Sequence, residues 1–350
     1  MPTLNQSHLS IFELHEGYKT GTFTPIGVIE NVLERIERFN SDVKAFCFID
    51  AQVALRRAQE SAKRWREGQP LGLLDGIPCG IKDVTSTLDW RARKGSRATT
   101  PWAPPATEVP LLARLREAGV SFVGLTNTSE FGWKGITDNG LYGATCNPWN
   151  LALTPGGSSG GSAVAVAMDM CTIATASDAA GSIRIPASFC GIFGFKPSYG
   201  RVPTLPLSSY GSISHQGVLA RTVAETVAVL NVICAPDTNG APSIFGYHPL
   251  KSTKQPTDLS GWKIAYCNCL NGSQTDPCIS ERFETILSIL ADQGALLCEA
   301  TPDLSGSEAL IKTVWSAAVS RITSDHDPKL LDPDLVKFPA TFPDVGVREY

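Results

Sequence analysis

Apolar residues recur at helical spacing in the first part of the chain. After Thr24 and Pro25, one face of a predicted helix carries Val28, Ile29, Val32, Leu33, Ile36 and Phe39. Threonine is a favoured N-cap and proline a favoured first helical residue, so the helix should begin here. A second helix is predicted over about 51–67, with Val53, Ala54, Leu55, Ala58, Ala62 and Trp65 on its apolar side. Each helix should therefore pack one face against a core.

Helices and strands alternate along the rest of the chain. Residues 109–125 predict a helix, a glycine stop and a strand, and a further helix is expected near 222–233. A strand (262–268), a helix (281–294) and a second strand (295–300) follow. This alternation predicts an α/β sheet with helices packed on its faces.

No boundary in the sequence divides the chain. The segment 186–217 is rich in proline and glycine but also apolar, so it is expected to be packed and irregular rather than a linker. A chain of 350 residues with 43% hydrophobic content is long enough to bury a large core. We therefore predict a single domain over residues 1–350.

Composition excludes some classes of partner. A formal net charge of −4 gives no electrostatic reason to expect a nucleic acid or a membrane surface as partner, and the basic run 91–97 is expected to be a solvated loop. The N-terminus lacks the features of a signal peptide and no apolar run is long enough to span a membrane, which predicts a cytoplasmic protein. The ten cysteines form no CxxC pair, so neither a zinc site nor a disulfide framework is expected.

The stretch TPGGSSGGSAVAVAM (154–168) places glycines and serines ahead of an apolar helix. It lacks the GK[ST] ending of a phosphate-binding loop. It also fits the G-x-S-x-G pattern of a nucleophile elbow, but a proline stands where that elbow needs a strand. Such an enzyme would need a downstream histidine, for which His215, His248 and His326 are the candidates. A Ser-His-Asp enzyme therefore stays an alternative at this point.

Two serines with glycine neighbours, Ser158 and Ser182, lie 24 residues apart. An Ala/Val-rich helix and the predicted strand CTIATAS (171–177) separate them. A helix followed by a strand returns the chain to roughly where it began. Both hydroxyl groups can therefore face one site.

The sequence around these serines resembles the amidase signature family. The match runs through GGSSGGSAVAVA, Asp178, GSIRIPA and GIFGFKPSYGRVP, and GIPCGIKD (76–83) resembles the lysine motif of the family. LTNTSEFGW, GATCNPWN and HQGVLARTVAETVAVL are similar to neighbouring segments, so the resemblance covers roughly residues 10–300. It implies the fold of that family, a large mixed β-sheet covered by helices on both faces, with a signature core at about 76–222.

The resemblance implies a role for three polar side chains. Ser182 is the expected nucleophile, Ser158 its partner after a cis peptide bond, and Lys82 the base. An alcohol needs an adjacent base to become a good nucleophile. A lysine serves as base only when it is neutral, which burial favours. We therefore expect a relay from Ser182 through Ser158 to a buried Lys82.

Small residues precede Ser182. Attack on a carbonyl creates an oxyanion, which preorganised backbone N–H groups stabilise best. Ala179, Ala180, Gly181 and Ser182 are expected to form a tight turn whose amides point inward, although the family pattern has glycine where Ala180 stands. The other residues implicated are Asp178 and Arg184, expected to pair and fix this turn, and Gly132, expected to contact substrate through its backbone.

These residues predict hydrolysis of the C–N bond of a small linear carboxamide through a Ser182 acyl-enzyme, with no metal or cofactor. An A-type subunit of a tRNA-dependent amidotransferase, which releases ammonia from glutamine, is a second interpretation of the same resemblance. A catalytically impaired, C-terminally shortened relative is a third, because the chain stops at TFPDVGVREY without the continuation common in the family. A homodimer stays open.

Overall fold

The fold is given by a computed structural model, which describes residues 9–100, 107–237, 243–244, 249–250, 258–270 and 272–338. The α-helices of the described residues are α1 (Ile11–Thr20), α2 (Pro25–Val43), α3 (Ala51–Arg66), α4 (Pro110–Glu117), α5 (Gly160–Ala167), α6 (Arg184–Cys190), α7 (Val223–Ile233), α8 (Pro277–Asp292), α9 (Ser307–Ser324) and α10 (Pro333–Lys337). The strands are β1 (Phe46–Ile49), β2 (Pro78–Lys82), β3 (Ser121–Thr126), β4 (Ile173–Asp178), β5 (Phe193–Gly194), β6 (His215–Ala220), β7 (Lys263–Tyr266) and β8 (Leu296–Glu299).

Strands β1 to β6 form one mixed sheet in the order β1-β3-β2-β4-β6-β5. Strand β2 runs parallel to β3 on one side and to β4 on the other. Strands β1, β6 and β5 join antiparallel to their neighbours. Every residue of β2 is buried, as expected for a strand between parallel neighbours in a sheet covered on both faces. The carboxyl ends of β2, β3 and β4 therefore meet at one edge of the sheet.

Helices cover both faces of this sheet. Helices α1, α4 and α7 pack on one face, where they meet Phe122 of β3 and Val218 of β6. Helices α2, α3, α5 and α6 pack on the other face, against Val123 and Leu219. Successive side chains of a strand point to opposite faces, which is why adjacent residues belong to different clusters. The predicted mixed sheet with helices on both faces is confirmed.

A second, smaller sheet follows in the chain. Strands β7 and β8 pair in parallel and α8 connects them, and we call residues 263–299 the βαβ unit. Helices α9 and α10 pack elsewhere, with Tyr210 and Leu331 in a third apolar cluster. None of the described helices has both the length and the apolar character that a membrane crossing requires.

Local capping explains where the predicted helices begin. Helix α2 starts after Thr24, whose hydroxyl accepts the Gly27 N–H at 3.1 Å. Helix α8 starts at Pro277 rather than at the expected residue 281, because the Asp276 side chain caps the helix and proline fits its first turn.

The expectation of an irregular segment over residues 186–217 was wrong at both ends, since a helix occupies its start and β6 begins at His215. Helix α6 runs through Pro186 to Cys190. Proline is tolerated in a first helical turn, where its missing N–H would have no acceptor within the helix.

Candidate active site

The carboxyl ends of the parallel strands bring the predicted residues together. Strand β2 ends at Lys82, β3 leads into a short 3-10 helix at Glu130–Gly132, and β4 ends just before the turn that carries Ser182. Ser158 approaches the same edge just before α5 begins. In open α/β sheets, ligands commonly bind at the carboxyl edge of the strands. Gly132, Ser158 and Ser182 all line one cavity of about 450 Å³ there.

Lys82 contacts Ser158, one of the residues that line this cavity, and is itself almost entirely buried, with 1% of its surface exposed. Its Nζ atom donates hydrogen bonds to Oγ of Ser158 at 2.7 Å and to Oγ of Ser177 at 3.0 Å. Burial lowers the pKa of Lys82 to about 7, although the carboxylate of Asp178 acts in the opposite direction. A large share of this amine is therefore uncharged at neutral pH and able to accept a proton.

Ser177 is a partner of Lys82 that the sequence analysis missed. Two residues earlier, Thr175 accepts the backbone N–H of Lys82 on its Oγ1 atom at 2.9 Å. The signal was present in the predicted strand CTIATAS, because residues two apart on a strand share a face. Its hydroxyl-bearing residues Thr175 and Ser177 face the lysine strand, whereas Ala174 and Ala176 pack in the apolar cluster on the other face.

Ser158 is also buried, with 1% exposed, and the Gly157–Ser158 peptide bond is cis. Gly132 packs against its hydroxyl: a Cβ atom at that position would lie 3.3 Å from Oγ of Ser158. The φ of Gly132 is +74°, in the left-handed region that favours glycine. Its N–H donates to the Ser129 carbonyl at 2.9 Å, so a substrate contact from Gly132 would fall to its carbonyl group.

The turn before Ser182 is held by a buried carboxylate. Asp178 accepts the Gly181 N–H at 2.7 Å and the Ile183 N–H at 3.2 Å. Arg184 donates to both oxygens of the same carboxylate, from Nε at 2.9 Å and Nη2 at 3.0 Å. Burial by itself would raise the pKa of Asp178, but the bonds from Arg184 and Gly181 outweigh it and hold the pKa below its ordinary value. Asp178 and Arg184 thus pair and fix the turn.

The amides of this turn do not all face the cavity. The N–H of Gly181 is engaged by Asp178, which departs from the expectation that it would point toward a substrate oxygen. The N–H groups of Ala179, Ala180 and Ser182 have no acceptor among the residues the structure describes. The turn leads directly into α6, so the sequence IRIP after Ser182 is helical rather than irregular.

The two serine segments contact each other through their backbones. The Ser159 N–H donates to the Ser182 carbonyl at 3.3 Å, and the hydroxyl groups of Ser158 and Ser182 line the same cavity. Within the described residues, no hydrogen bond joins these two hydroxyls directly. Ser182 is 8% exposed, so it is the more accessible of the pair.

The histidines of the alternative Ser-His-Asp site lie elsewhere. Nδ1 of His215 is 3.1 Å from the Asp178 carbonyl, and Nδ1 of His326 is 2.8 Å from the Ile322 carbonyl. His248 lies outside the described residues. Neither described histidine has a hydrogen bond to the hydroxyl of Ser158 or Ser182, so the structure gives no support to that alternative.

The basic run 91–97 is more than the solvated loop that the sequence suggested. Arg91 and Arg97 are exposed, but the loop between them is bound by Asp83, which accepts the Arg93 N–H at 2.7 Å and the Gly95 N–H at 2.9 Å. Burial raises the pKa of Asp83 to about 6, against the effect of these hydrogen bonds. The loop places Lys94 in the wall of the cavity. This role had no visible signal in the sequence.

Known proteins of the same fold share this arrangement of elements. A crystal structure of an amidase superposes with a TM-score of 0.85 at 28% identity, over 98% of this chain and 75% of that chain. The structure of a bacterial aryl acylamidase of the amidase signature family gives a TM-score of 0.86 at 25% identity, over 97% of this chain and 74% of that one.

Sequence comparison points in the same direction. The A-type subunit of the glutamyl-tRNA(Gln) amidotransferase of Chloroflexus aggregans is 36% identical over 293 residues, which are 83% of this chain and 60% of that protein. This chain thus spans about 60% of the length of the curated relatives it matches. The model of the Amidase family matches residues 27–342. The chain therefore belongs to the amidase signature family.

Proposed function

We propose that this protein hydrolyses the C–N bond of a linear carboxamide through an acyl-enzyme on Ser182. The observation that carries the proposal is the contact between Nζ of Lys82 and Oγ of Ser158, 2.7 Å long, beneath a cavity that also exposes Ser182. A buried amine with a pKa of about 7 is matched to proton transfer at neutral pH. Family membership supports the same chemistry.

In the first step, Oγ of Ser182 attacks the amide carbon. Its proton passes to Ser158, while the proton of Ser158 passes to the neutral amine of Lys82. When the C–N bond breaks, the protonated Lys82 returns a proton through Ser158 to the leaving amine. Water then attacks the Ser182 ester by the same route and releases the carboxylic acid. The two hydroxyls have no direct hydrogen bond in the structure. We expect that bond to form when a bound substrate orients the Ser182 side chain.

The oxyanion would be stabilised by the free amides of the turn. We assign this role to the N–H groups of Ala179, Ala180 and Ser182, because the Gly181 N–H is engaged by Asp178. Asp178 and Arg184 would act by holding the turn, and Gly132 by keeping the space beside Ser158 open. None of these assignments requires a metal or a cofactor.

A fluorophosphonate probe tests the nucleophile. We expect covalent labelling that peptide mapping places on Ser182, and loss of labelling in Ser182→Ala. Ser188→Ala is the matched control, since this serine lies exposed on α6 and should leave labelling unchanged. Labelling at another residue, or labelling that persists in Ser182→Ala, would contradict the proposal. An unreactive Ser182 in folded protein would favour the interpretation as a catalytically impaired relative.

A second candidate function is glutamine hydrolysis as an A-type subunit of a tRNA-dependent amidotransferase. It is favoured by the 36% identity to the corresponding subunit of such an enzyme. It predicts ammonia release from glutamine that increases when the partner subunits are added. A cytoplasmic location and a homodimer remain predictions, which cell fractionation and light scattering would test.

A further inference from the structure

The described residues that line the cavity include one cationic side chain and no carboxylate. The wall combines apolar side chains, such as Val109 and Leu207, with hydroxyl-bearing residues such as Thr85 and Ser209. Among the described residues that line it, Lys94 is the one with a formal charge. The lining contributed by the described chain thus has a cation and no carboxylate. A ligand with a negative group would meet an attractive field there.

The amino group of Lys94 has no anionic partner in the described part of the chain. Its one described side-chain contact is with the ring of Phe131, whose centroid lies 5.9 Å from Nζ. Lys134, nearby in the fold, instead pairs with Asp138 and Asp332. The Lys94 side chain is exposed at the cavity surface, yet desolvation by the surrounding atoms and the charge of Arg91 lower its pKa, while the charge of Asp83 acts in the opposite direction. A bound carboxylate would stabilise the charged amine.

The backbone fixes Lys94 relative to the catalytic serines. The residues on either side of it donate their N–H groups to Asp83, the neighbour of Lys82. The carbonyl of Lys94 accepts the Phe131 N–H at 2.8 Å, and the next residue, Gly132, packs against Ser158. Lys94 is therefore held on both sides by elements of the site rather than by a free loop.

We propose that Lys94 binds a carboxylate of the substrate, and that the preferred substrates are amides carrying a carboxylate away from the bond that breaks. The apolar part of the wall would contact the spacer between amide and carboxylate. A hydrogen bond between an ammonium and a carboxylate is stronger than one between neutral groups, and more so where water is partly excluded. The inference rests on the proposed hydrolysis at Ser182 and adds a substrate class to it.

Matched substrates test this inference. One pair is glutaryl nitroanilide and the amide in which an isopropyl group replaces its carboxylate, so that shape is kept and charge is lost. A second pair, N-butyryl aminobenzoate and N-butyryl isopropylaniline, places the carboxylate on the leaving group. We expect the wild-type protein to prefer the anionic member of at least one pair by about tenfold or more in kcat/KM.

Variants assign the preference to Lys94. Lys94→Met should lower the ratio of kcat/KM for the anionic member to that for the neutral member by about tenfold. The kcat/KM for the neutral member itself should change by less than about twofold. Lys94→Arg should keep the preference. Lys44→Met is the matched control, because Lys44 is also exposed and also has a positive φ, +50° against +54° for Lys94, but does not line the cavity.

The outcomes separate this inference from the hydrolytic function. Hydrolysis with no preference in either pair, or with a preference that Lys94→Met retains, would overturn the carboxylate site and leave the function standing. If neither pair is hydrolysed, calorimetric binding of glutaramate is compared between wild type and Lys94→Met. Affinity that depends on Lys94 would then support the carboxylate site while the hydrolytic function fails, and equal or absent binding would refute the site as well.

Discussion

The carboxyl edge of the six-stranded sheet and the βαβ unit differ in which kind of side chain they bury. At the sheet edge, polar side chains are buried: Lys82 and Asp178 lie beneath the surface, each with hydrogen-bond partners. In the βαβ unit, apolar side chains are exposed: on α8, Ile286 is 54% exposed and Ile289 is 51% exposed. Burying a polar group is unfavourable unless it is hydrogen-bonded.

This contrast shows where the sequence pattern stops being informative. Both regions have the same alternation of helix and strand, and both form the predicted elements. The pattern selects the element, but the neighbours decide which face is covered. At the sheet edge, the buried polar groups have hydrogen-bond partners, which is typical of a catalytic site. In the βαβ unit, the described residues leave apolar side chains of α8 exposed to solvent.

The largest effect that would test the contrast is on catalysis. In Lys82→Met, the new side chain is about as long as that of lysine but has no amine, so the base is lost. We expect kcat/KM to fall by about 10³-fold or more, since general base catalysis is worth about 10²–10⁴-fold and no other described residue places a base in hydrogen-bond contact with Ser158. Steady-state assays with an amide measure the loss, and circular dichroism confirms folding. Activity within tenfold of wild type at neutral pH would rule Lys82 out as the base.

The next effect is on stability. Ile81→Ala should lower the free energy of unfolding by about 3 kcal/mol, because Ile81 is fully buried and the substitution leaves a cavity. Ile289→Ala should cost less than about 0.5 kcal/mol, because that side chain is half exposed. Urea denaturation of both variants measures the difference. Equal losses would mean that α8 buries its apolar face in solution.

The smallest effect concerns pH. With the Lys82 pKa near 7, kcat/KM should rise with pH through about 7, as the amine loses its proton and becomes a base. The folded pKa lies below the unfolded value of 10.5, so the unfolded chain binds more protons between these values. Stability attributable to Lys82 therefore increases with pH in that window, by about 2 kcal/mol from pH 7 to pH 9.

Lys82→Met isolates this contribution, because all other titrations are common to both proteins. The free energy of unfolding of wild type minus that of the variant should rise between the two pH values. A constant difference, or an activity that keeps rising with pH toward about 10 instead of levelling off above 7, would show that Lys82 keeps an ordinary pKa.

The sequence predicted the main elements and the side chains that meet, for identifiable reasons. Helix α2 was readable from its cap and apolar spacing, and Lys82, Ser158 and Ser182 from their motifs. Lys94 was not readable, because its place in the cavity depends on Asp83 binding the backbone on either side of it. The engaged N–H of Gly181 was missed for the same reason: a side chain three residues away takes it, and residue types alone do not show such a bond.

The two aspartates that bind backbone amides at this site hold their charge over different pH ranges. Burial raises the pKa of Asp83 to about 6, whereas Asp178 keeps its pKa below 3.8 with the help of Arg184. In mildly acidic solution, Asp83 is thus neutralised while Asp178 stays ionised. Acidification would first weaken the anchoring of the segment that presents Lys94, and the nucleophile would keep its conformation. Of the two segments that these aspartates hold, the one that presents Lys94 would therefore loosen at a higher pH than the turn that carries Ser182.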